Sequence, residues 1–282
     1  MTDYKSILIT GCSSGIGLCV AKGLKERGYA VYTSARKADD VSMLQQQGFK
    51  SFRLDLTDSE SIANTLEQVL EDTGGTLYAL FNNGAYGQVG AVEDLSVEVL
   101  REQFETNFFG WHDLTCRVIP VMRAQRTGRI IQNSSILGFM TLPYRGAYVA
   151  SKYALEGLTD TLRMELAESG IKVSLIEPGP IESRFRDNAL AMWQKNIDPE
   201  KSAHRAYYQS MLERLRKEGP ATPFTLPAEA VLKKVIHALE SPRPKIRYPV
   251  TFPTYLFGML RRVLTNRGMD RVLLKVSGGG KR

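Results

Sequence analysis

The chain has 282 residues, 43% of them apolar and 24% charged, an ordinary globular composition that excludes a collagen-like, disulfide-scaffold or wholly disordered chain. Its formal charge of +7 is not a nucleic-acid signature, because residues 242–282 hold ten of the 37 basic residues and one of the 30 acidic ones, Asp270, which leaves the remainder slightly acidic. No apolar run approaches the roughly 20 residues that cross a bilayer, and Met1-Thr2-Asp3 leads almost directly into Ile7-Leu8-Ile9 without a signal-peptide pattern.

Ser6–Thr10 reads as a strand, Ile16–Arg27 as a helix, Ala30–Ser34 as a strand and Val41–Gln47 as a short helix. A third strand at Ser51–Leu54 precedes a helix over Ser59–Glu71, capped by Asp58 or Ser59. Strands at Leu77–Phe81, Arg129–Gln132 and Lys172–Ile176 are separated by helical patterns at Val97–Ala124 and Tyr148–Glu168. Pro120 predicts a kink or two helices in the first of these. Strands that are apolar on both sides, each followed by a helix, imply a parallel sheet covered on both faces.

Beyond Pro178-Gly179-Pro180 the patterning weakens. Residues 184–225, with Met192, Trp193, Tyr207 and Tyr208, form a candidate lid inside a catalytic region spanning 1–250. The basic extension 251–282 carries Leu256, Met259, Leu260, Val263 and Leu264 at helical spacing, with Arg261 and Arg262 on the other side. Such a helix either packs on the body or lies on an anionic membrane surface. Ser277-Gly278-Gly279-Gly280 reads as a frayed terminus.

Cys12, Cys19 and Cys116 fit neither a zinc site nor a redox pair, and read as reduced thiols of a cytoplasmic protein. His112, His204 and His237 stand alone, so no metal is expected.

Two constellations carry chemistry. Thr10-Gly11-Cys12-Ser13-Ser14-Gly15-Ile16-Gly17 lies between the first strand and the first helix. Glycines there let the backbone approach a diphosphate, with the helix N–H groups facing the anion. About 20 residues on, where an acid would take the ribose 2′-hydroxyl of NAD, the chain reads Ser34-Ala35-Arg36-Lys37. Arg36 can pair with a 2′-phosphate, so the expected cofactor is NADP(H).

The second is Ser135 with Tyr148 and Lys152. Tyr148 and Lys152 are one helical turn apart, and Ser135 follows the strand ending at Asn133, at the ligand-side edge of an α/β sheet. Carbonyl reduction needs a hydride on carbon and a proton on oxygen. Tyrosine can supply the proton, a neighbouring ammonium would lower its pKa, and Ser135 can donate to the developing oxyanion.

From about Ser6 to Ser183 the chain resembles the short-chain dehydrogenase/reductase family, on Thr10-Gly11-x-x-x-Gly15-x-Gly17, Asp55, Asn82-Asn83, Asn107, Ser135, Tyr148-x-x-x-Lys152 and Pro178-Gly179. Within it, the stretches around the glycine turn, Tyr148 and Ile176-Glu177-Pro178-Gly179-Pro180-Ile181 look like the hydroxysteroid and retinol dehydrogenase branch, and closest to bacterial NADPH-dependent aldehyde and ketone reductases. The resemblance implies a single-domain, Rossmann-like, doubly wound parallel sheet of about seven strands. It implies that Asp55 and Asn82 help hold the adenine and its ribose, that Lys152 also binds the nicotinamide ribose, and that Asn107 positions a water in the proton relay. Ser13, Ser14, Ile16, Leu56, Pro178, Gly179 and Ile181 complete the expected cofactor-binding set. Homodimers or homotetramers are implied, paired through the helices after Val97 and Tyr148. The family's Asn-Asn-Ala-Gly reads Asn82-Asn83-Gly84-Ala85 here.

Residues 136–147, which must border the reacting carbonyl, are mostly apolar, so a hydrophobic aldehyde or ketone is expected as substrate. The competing reading is a redox sensor or scaffold that binds NADP(H) without turnover.

Overall fold

The computed structural model describes residues 5–217, 219 and 222–278. Among them, seven strands form one sheet: β1 (Ser6–Ile9), β2 (Ala30–Ala35), β3 (Lys50–Arg53), β4 (Ala79–Asn82), β5 (Gly128–Asn133), β6 (Ile171–Glu177) and β7 (Arg247–Pro249). Every neighbouring pair is parallel, in the order β3-β2-β1-β4-β5-β6-β7. This is the doubly wound sheet that the sequence predicts.

Because successive side chains point to opposite faces, β1 feeds two cores at once. Ile7 and Ile9 pack with α1 (Gly15–Glu26), α2 (Ala38–Gln46) and α9 (Glu229–Glu240) on one face. Leu8 packs on the other face with α3 (Ser59–Thr73), α5 (Gly110–Gln125) and α6 (Gly146–Glu165). Of the two candidate caps of α3, Asp58 serves, accepting from the N–H groups of Glu60 and Ser61.

The strand order reverses between β1 and β4, which opens a crevice at the carboxyl ends of the strands. Both the glycine turn after β1 and Ser135 after β5 lie at this edge.

One expectation is corrected. The helical pattern over 97–124 does not break at Pro120; α4 (Val97–Phe104) passes through a π-helical turn at Glu105–Phe109 into α5, which runs on through Pro120. Pro120 and Cys116, whose carbonyl loses its partner, are both on the exposed side of α5, where water can take the bond. The π turn falls where Gly110 meets the Leu56 carbonyl so closely that a Cβ would stand 1.9 Å from its oxygen. Backbone contact with β3's loop, not proline chemistry, sets the irregularity.

The lid candidate forms α7 (Phe185–Asn196) and α8 (Arg205–Arg216). The two enclose a separate apolar cluster that includes Val89, Trp193, Tyr208 and Met211. The tail forms α10 (Phe252–Val263) and α11 (Asn266–Val276). It packs Phe257 and Leu273 against Leu137, Met140 and Tyr148, so one face of the extension closes over the site. Gly279 and Gly280 of the expected frayed terminus lie outside the described residues. No described helix is long and apolar enough to cross a membrane.

Candidate active site

A cleft of about 740 Å³ runs along the carboxyl edge of the sheet, from Gly11 and residues 13–16 past Asn83 and Asn133 to Ser135, Tyr148 and Lys152, and under Pro178–Arg186, the segment that leads into the lid. At its first end, Gly11 has φ +70°, and a Cβ there would lie 2.5 Å from the Gly84 Cα. Only glycine allows both the left-handed backbone and this contact. Gly84 stands where the family pattern has alanine, so the Gly84-Ala85 exchange lets two glycine backbones touch, and the Gly84 carbonyl accepts from Trp111 Nε1 at 2.8 Å.

Ser14, at the N-cap of α1, makes no capping bond with its side chain. The first-turn N–H groups and the positive end of α1 therefore face the cleft as a ready anion site. A buried Asn133 Oδ1 without a partner lies on the same floor. The donor-rich turn, bare backbone and unsatisfied amide fit a dinucleotide diphosphate and its ribose.

At the other end, the Ser135 hydroxyl accepts from the Leu137 N–H at 3.1 Å, which leaves its own proton free to donate into the cleft. Tyr148 sits in the first turn of α6, buried, with its ring edge-on to Phe185 at 5.2 Å between centroids. Lys152, one turn later, donates from Nζ to the Asn133 carbonyl at 2.8 Å. Its ammonium stands 4.2 Å from the Trp111 ring centroid and 5.8 Å from that of Tyr148.

In the polypeptide alone, burial dominates the titration of both Tyr148 and Lys152. Burial pushes the phenol up to about 12, against the opposing pull of the Ser135 hydroxyl. Burial likewise pushes Lys152 down to about 7, with Glu156 pulling the other way. Desolvation is the largest effect on both groups, and the ammonium's contacts are the Asn133 carbonyl and the rings of Trp111 and Tyr148.

Of the sequence candidates, Gly11, Ser13, Ser14, Gly15, Ile16, Ser135, Tyr148, Lys152, Pro178, Gly179 and Ile181 all line this cleft. Thr10, Gly17, Asn82 and Asn107 lie beneath it. The Thr10 hydroxyl accepts from the N–H groups of Asn83 and Gly84 at 2.8 and 2.9 Å, and a Cβ on Gly17 would stand 2.3 Å from the Gly11 carbonyl oxygen. Asn82 donates to Thr115 Oγ1 at 2.9 Å. Asn107, within the π turn, brackets the Tyr86 backbone: its Oδ1 accepts from the N–H at 3.2 Å and its Nδ2 donates to the carbonyl at 2.8 Å. Arg36, Asp55 and Leu56 stand outside the cleft, past the ends of β2 and β3.

The sequence assigns no role to Asn83, yet it ties three strand ends together. Its Nδ2 donates to the carbonyls of Thr10 and Gly11, and its Oδ1 accepts from Asn133 Nδ2 at 2.8 Å. Arg184 was equally silent in sequence; its guanidinium donates to the Ser13 carbonyl at 2.9 Å and so latches the lid to the glycine turn.

Residues 5–193 match the family model for short chain dehydrogenases. The chain is 45% identical over 269 residues to an uncharacterized oxidoreductase, YbbO, of Escherichia coli strain K12, covering 95% of this chain and 94% of that one. It is 30% identical over 276 residues to an NADPH-dependent 3-dehydrocapnine reductase of Ornithobacterium rhinotracheale, covering 95% of each. A crystal structure of a short-chain dehydrogenase from Streptomyces avermitilis superposes with a TM-score of 0.77 at 28% identity, covering 98% of this chain and 99% of that one. With a glycine turn, a serine, a tyrosine and a lysine gathered on one cleft of a doubly wound sheet, this chain belongs to the short-chain dehydrogenase/reductase family and is an NAD(P)-dependent oxidoreductase.

Proposed function

We propose that this oxidoreductase uses NADP(H) and interconverts a hydrophobic aldehyde or ketone with its alcohol. The observation that carries the chemistry is the convergence of Ser135, Tyr148 and Lys152 on the cleft that begins at the glycine turn. When bound, the dinucleotide supplies or accepts the hydride. Tyr148, whose burial favours the protonated phenol, holds the proton that the carbonyl oxygen takes up. Ser135 donates its free hydroxyl proton to the same oxygen, a bond that strengthens as negative charge develops. Lys152 is held in place by the Asn133 carbonyl and Trp111, and holds the ribose. Asn107 acts one step back. Its Nδ2 reaches Ser151 Oγ at 3.4 Å, and that hydroxyl donates to the Tyr148 carbonyl at 2.8 Å, so Asn107 fixes the turn of α6 that aims the phenol.

The cofactor choice rests on the end of β2, where Arg36 and Lys37 are exposed at the corner that an acid would occupy to bind NAD, and on the Arg53 guanidinium at the end of β3, which donates to the Arg36 carbonyl at 3.4 Å. The relative whose name states NADPH dependence supports the same choice. The experiment is a panel of aldehydes, ketones and steroids, followed by loss of NADPH or NADH absorbance. Wild type prefers NADPH, and Arg36→Asp shifts kcat/KM toward NADH by roughly tenfold or more, the loss of one charge-assisted phosphate pair plus a new repulsion. An unchanged NADPH preference in that variant refutes the assignment.

The apolar cleft walls, including Leu137, Leu142, Val89 and Phe185, support a hydrophobic substrate. The tail suits a surface where such compounds concentrate. Phe252, Tyr255, Met259 and Val263 of α10 are exposed along one side, flanked by exposed Arg262, Arg267 and Arg271, the pattern of a helix lying on anionic lipid. Phosphatidylglycerol vesicles then co-sediment the wild-type protein and release the double variant Met259→Glu, Val263→Glu; equal partitioning of the two disproves the contact. Point variants are the right tool, since truncation at Pro249 would strip Phe257 and Leu273 from the site.

A further inference from the structure

Arg145 and Arg214 line the lid side of the cleft, and neither they nor Arg184 and Arg186, which line it too and donate to backbone carbonyls, have an acidic partner among the described residues. Arg145 immediately precedes α6, three residues before Tyr148, and its Nη1 donates to the Tyr144 carbonyl at 3.0 Å and approaches Met211 Sδ at 3.6 Å. Arg214, near the end of α8, points into the same cleft, and its Nε is fully buried with no hydrogen-bond partner. Among the described residues neither forms an ion pair, although eleven such contacts occur elsewhere.

Their partial burial is costly. It pushes the Arg145 guanidinium down to about 9, with Arg214 adding repulsion, and lowers Arg214, with Arg186 adding repulsion. Both side chains are half-buried, with the Arg214 Nε fully enclosed, and like charges brought together without a counter-charge are a cost that an anionic ligand would offset. The dinucleotide is not that ligand, because its diphosphate site is at the glycine turn, whereas Arg145 pairs through Gly90 and Met211 with the lid cluster beyond Tyr148.

We propose that the reacting carbonyl compound carries an anionic head, a carboxylate or a sulfonate, bound between Arg145 and Arg214 under the lid, with its apolar part along Val89, Leu142 and Leu215. This inference rests on the oxidoreductase reading above.

The test is calorimetric binding of octanoate, octane-1-sulfonate and octan-1-ol to the full chain, with and without saturating NADP+. Octanoate or the sulfonate binds roughly tenfold or more tighter than the alcohol, as two charge-assisted bonds in a desolvated site imply. Which of the two anions binds tighter identifies the head group. Arg214→Met brings the acid-to-alcohol ratio toward one, and Arg214→Lys restores part of it. Arg145→Met does the same where it folds; Arg214→Met stands without it. Equal binding of acid and alcohol by wild type overturns the inference, as does an unchanged ratio in Arg214→Met, including the case where that variant weakens NADP+ instead. Acid preference without turnover of any carbonyl would sink the reductase reading and keep the anion site; turnover of neutral aldehydes without acid preference would do the reverse.

Discussion

Tyr148→Phe lowers kcat by about 10²- to 10⁴-fold, the usual contribution of a positioned proton donor, while NADPH binding is retained. The substitution removes one oxygen and nothing else from the packing. Phe at 148 keeps the edge-on contact with Phe185 and the apolar surroundings of Leu137, Met140 and Phe257, so stability changes by less than about 1.5 kcal/mol. Burial raises the phenol and so favours its protonated form, and Ser135 is committed to the oxyanion while the Lys152 ammonium is committed to the Asn133 carbonyl. Steady-state absorbance with the preferred carbonyl measures kcat, and quenching of protein fluorescence by NADPH measures binding. Turnover near the wild-type rate would falsify tyrosine as the donor. A wild-type protein that binds NADPH and reduces nothing in the panel would instead establish the sensor or scaffold reading.

What could be read from the sequence depended on how local each feature is. The strands β1, β4 and β6 are short, apolar on both faces and followed by turn residues, so pattern alone locates them. Tyr148 and Lys152 share one helix, and the glycine turn is contiguous, so their spacing carries their geometry. By contrast, β7 is Arg247-Tyr248-Pro249, three residues with a charge and a proline, and it becomes a strand only because β6 offers an edge. Pro120 is a strong local signal that misleads, because the break is dictated by Gly110 against Leu56, residues remote in sequence. The same holds for electrostatics. That Lys152 is spent on Asn133 and Trp111 depends on where β5 and α5 come to lie, and the meeting of Arg145 with Arg214 depends on the fold of the lid over the cleft. Thr10 and Asn82 carry a motif signature yet turn inward, to Asn83 and Gly84 in one case and to Thr115 in the other; a motif cannot distinguish a residue that touches the ligand from one that shapes the floor.

Arg247→Met has the largest expected effect on stability, and the reason lies in charge burial at β7. The Arg247 guanidinium bonds Glu156 of α6, Glu177 at the end of β6 at 2.7 Å, and Asp160 of α6 at 2.5 Å. Glu156 and Glu177 are almost wholly buried, with side chains 8% and 6% exposed. Burial raises Glu156 and, with repulsion from Glu156, pushes Glu177 up to about 7, while Arg247 opposes both. In Asp160, burial is outweighed by the bonds from Arg163 and Arg247, and its pKa is lowered. Removing the one cation paired with Glu156 and Glu177 leaves both buried carboxylates uncompensated, which costs about 3–5 kcal/mol. The sign of its pH dependence follows. A carboxylate whose folded pKa is raised contributes stability below its unfolded pKa and loses it as pH rises through the folded value, about 7 for Glu177 in the wild type. Without the guanidinium both glutamates rise further, and Asp160 loses one of the two partners that stabilise its ionised form. The gap between variant and wild type therefore widens as pH rises from about 5 to about 8 and narrows toward acid. Urea unfolding at the two pH values measures it; a gap that is constant with pH, or wider in acid, would show that Arg247 acts by packing alone. The consequence reaches the chemistry as well. Glu156 stands one turn after Lys152, and Glu177 immediately precedes Pro178 and Gly179, so the cluster fastens α6 to the edge of the sheet on which Ser135 stands. Loosening it lets the phenol wander from the serine hydroxyl, and kcat falls together with stability.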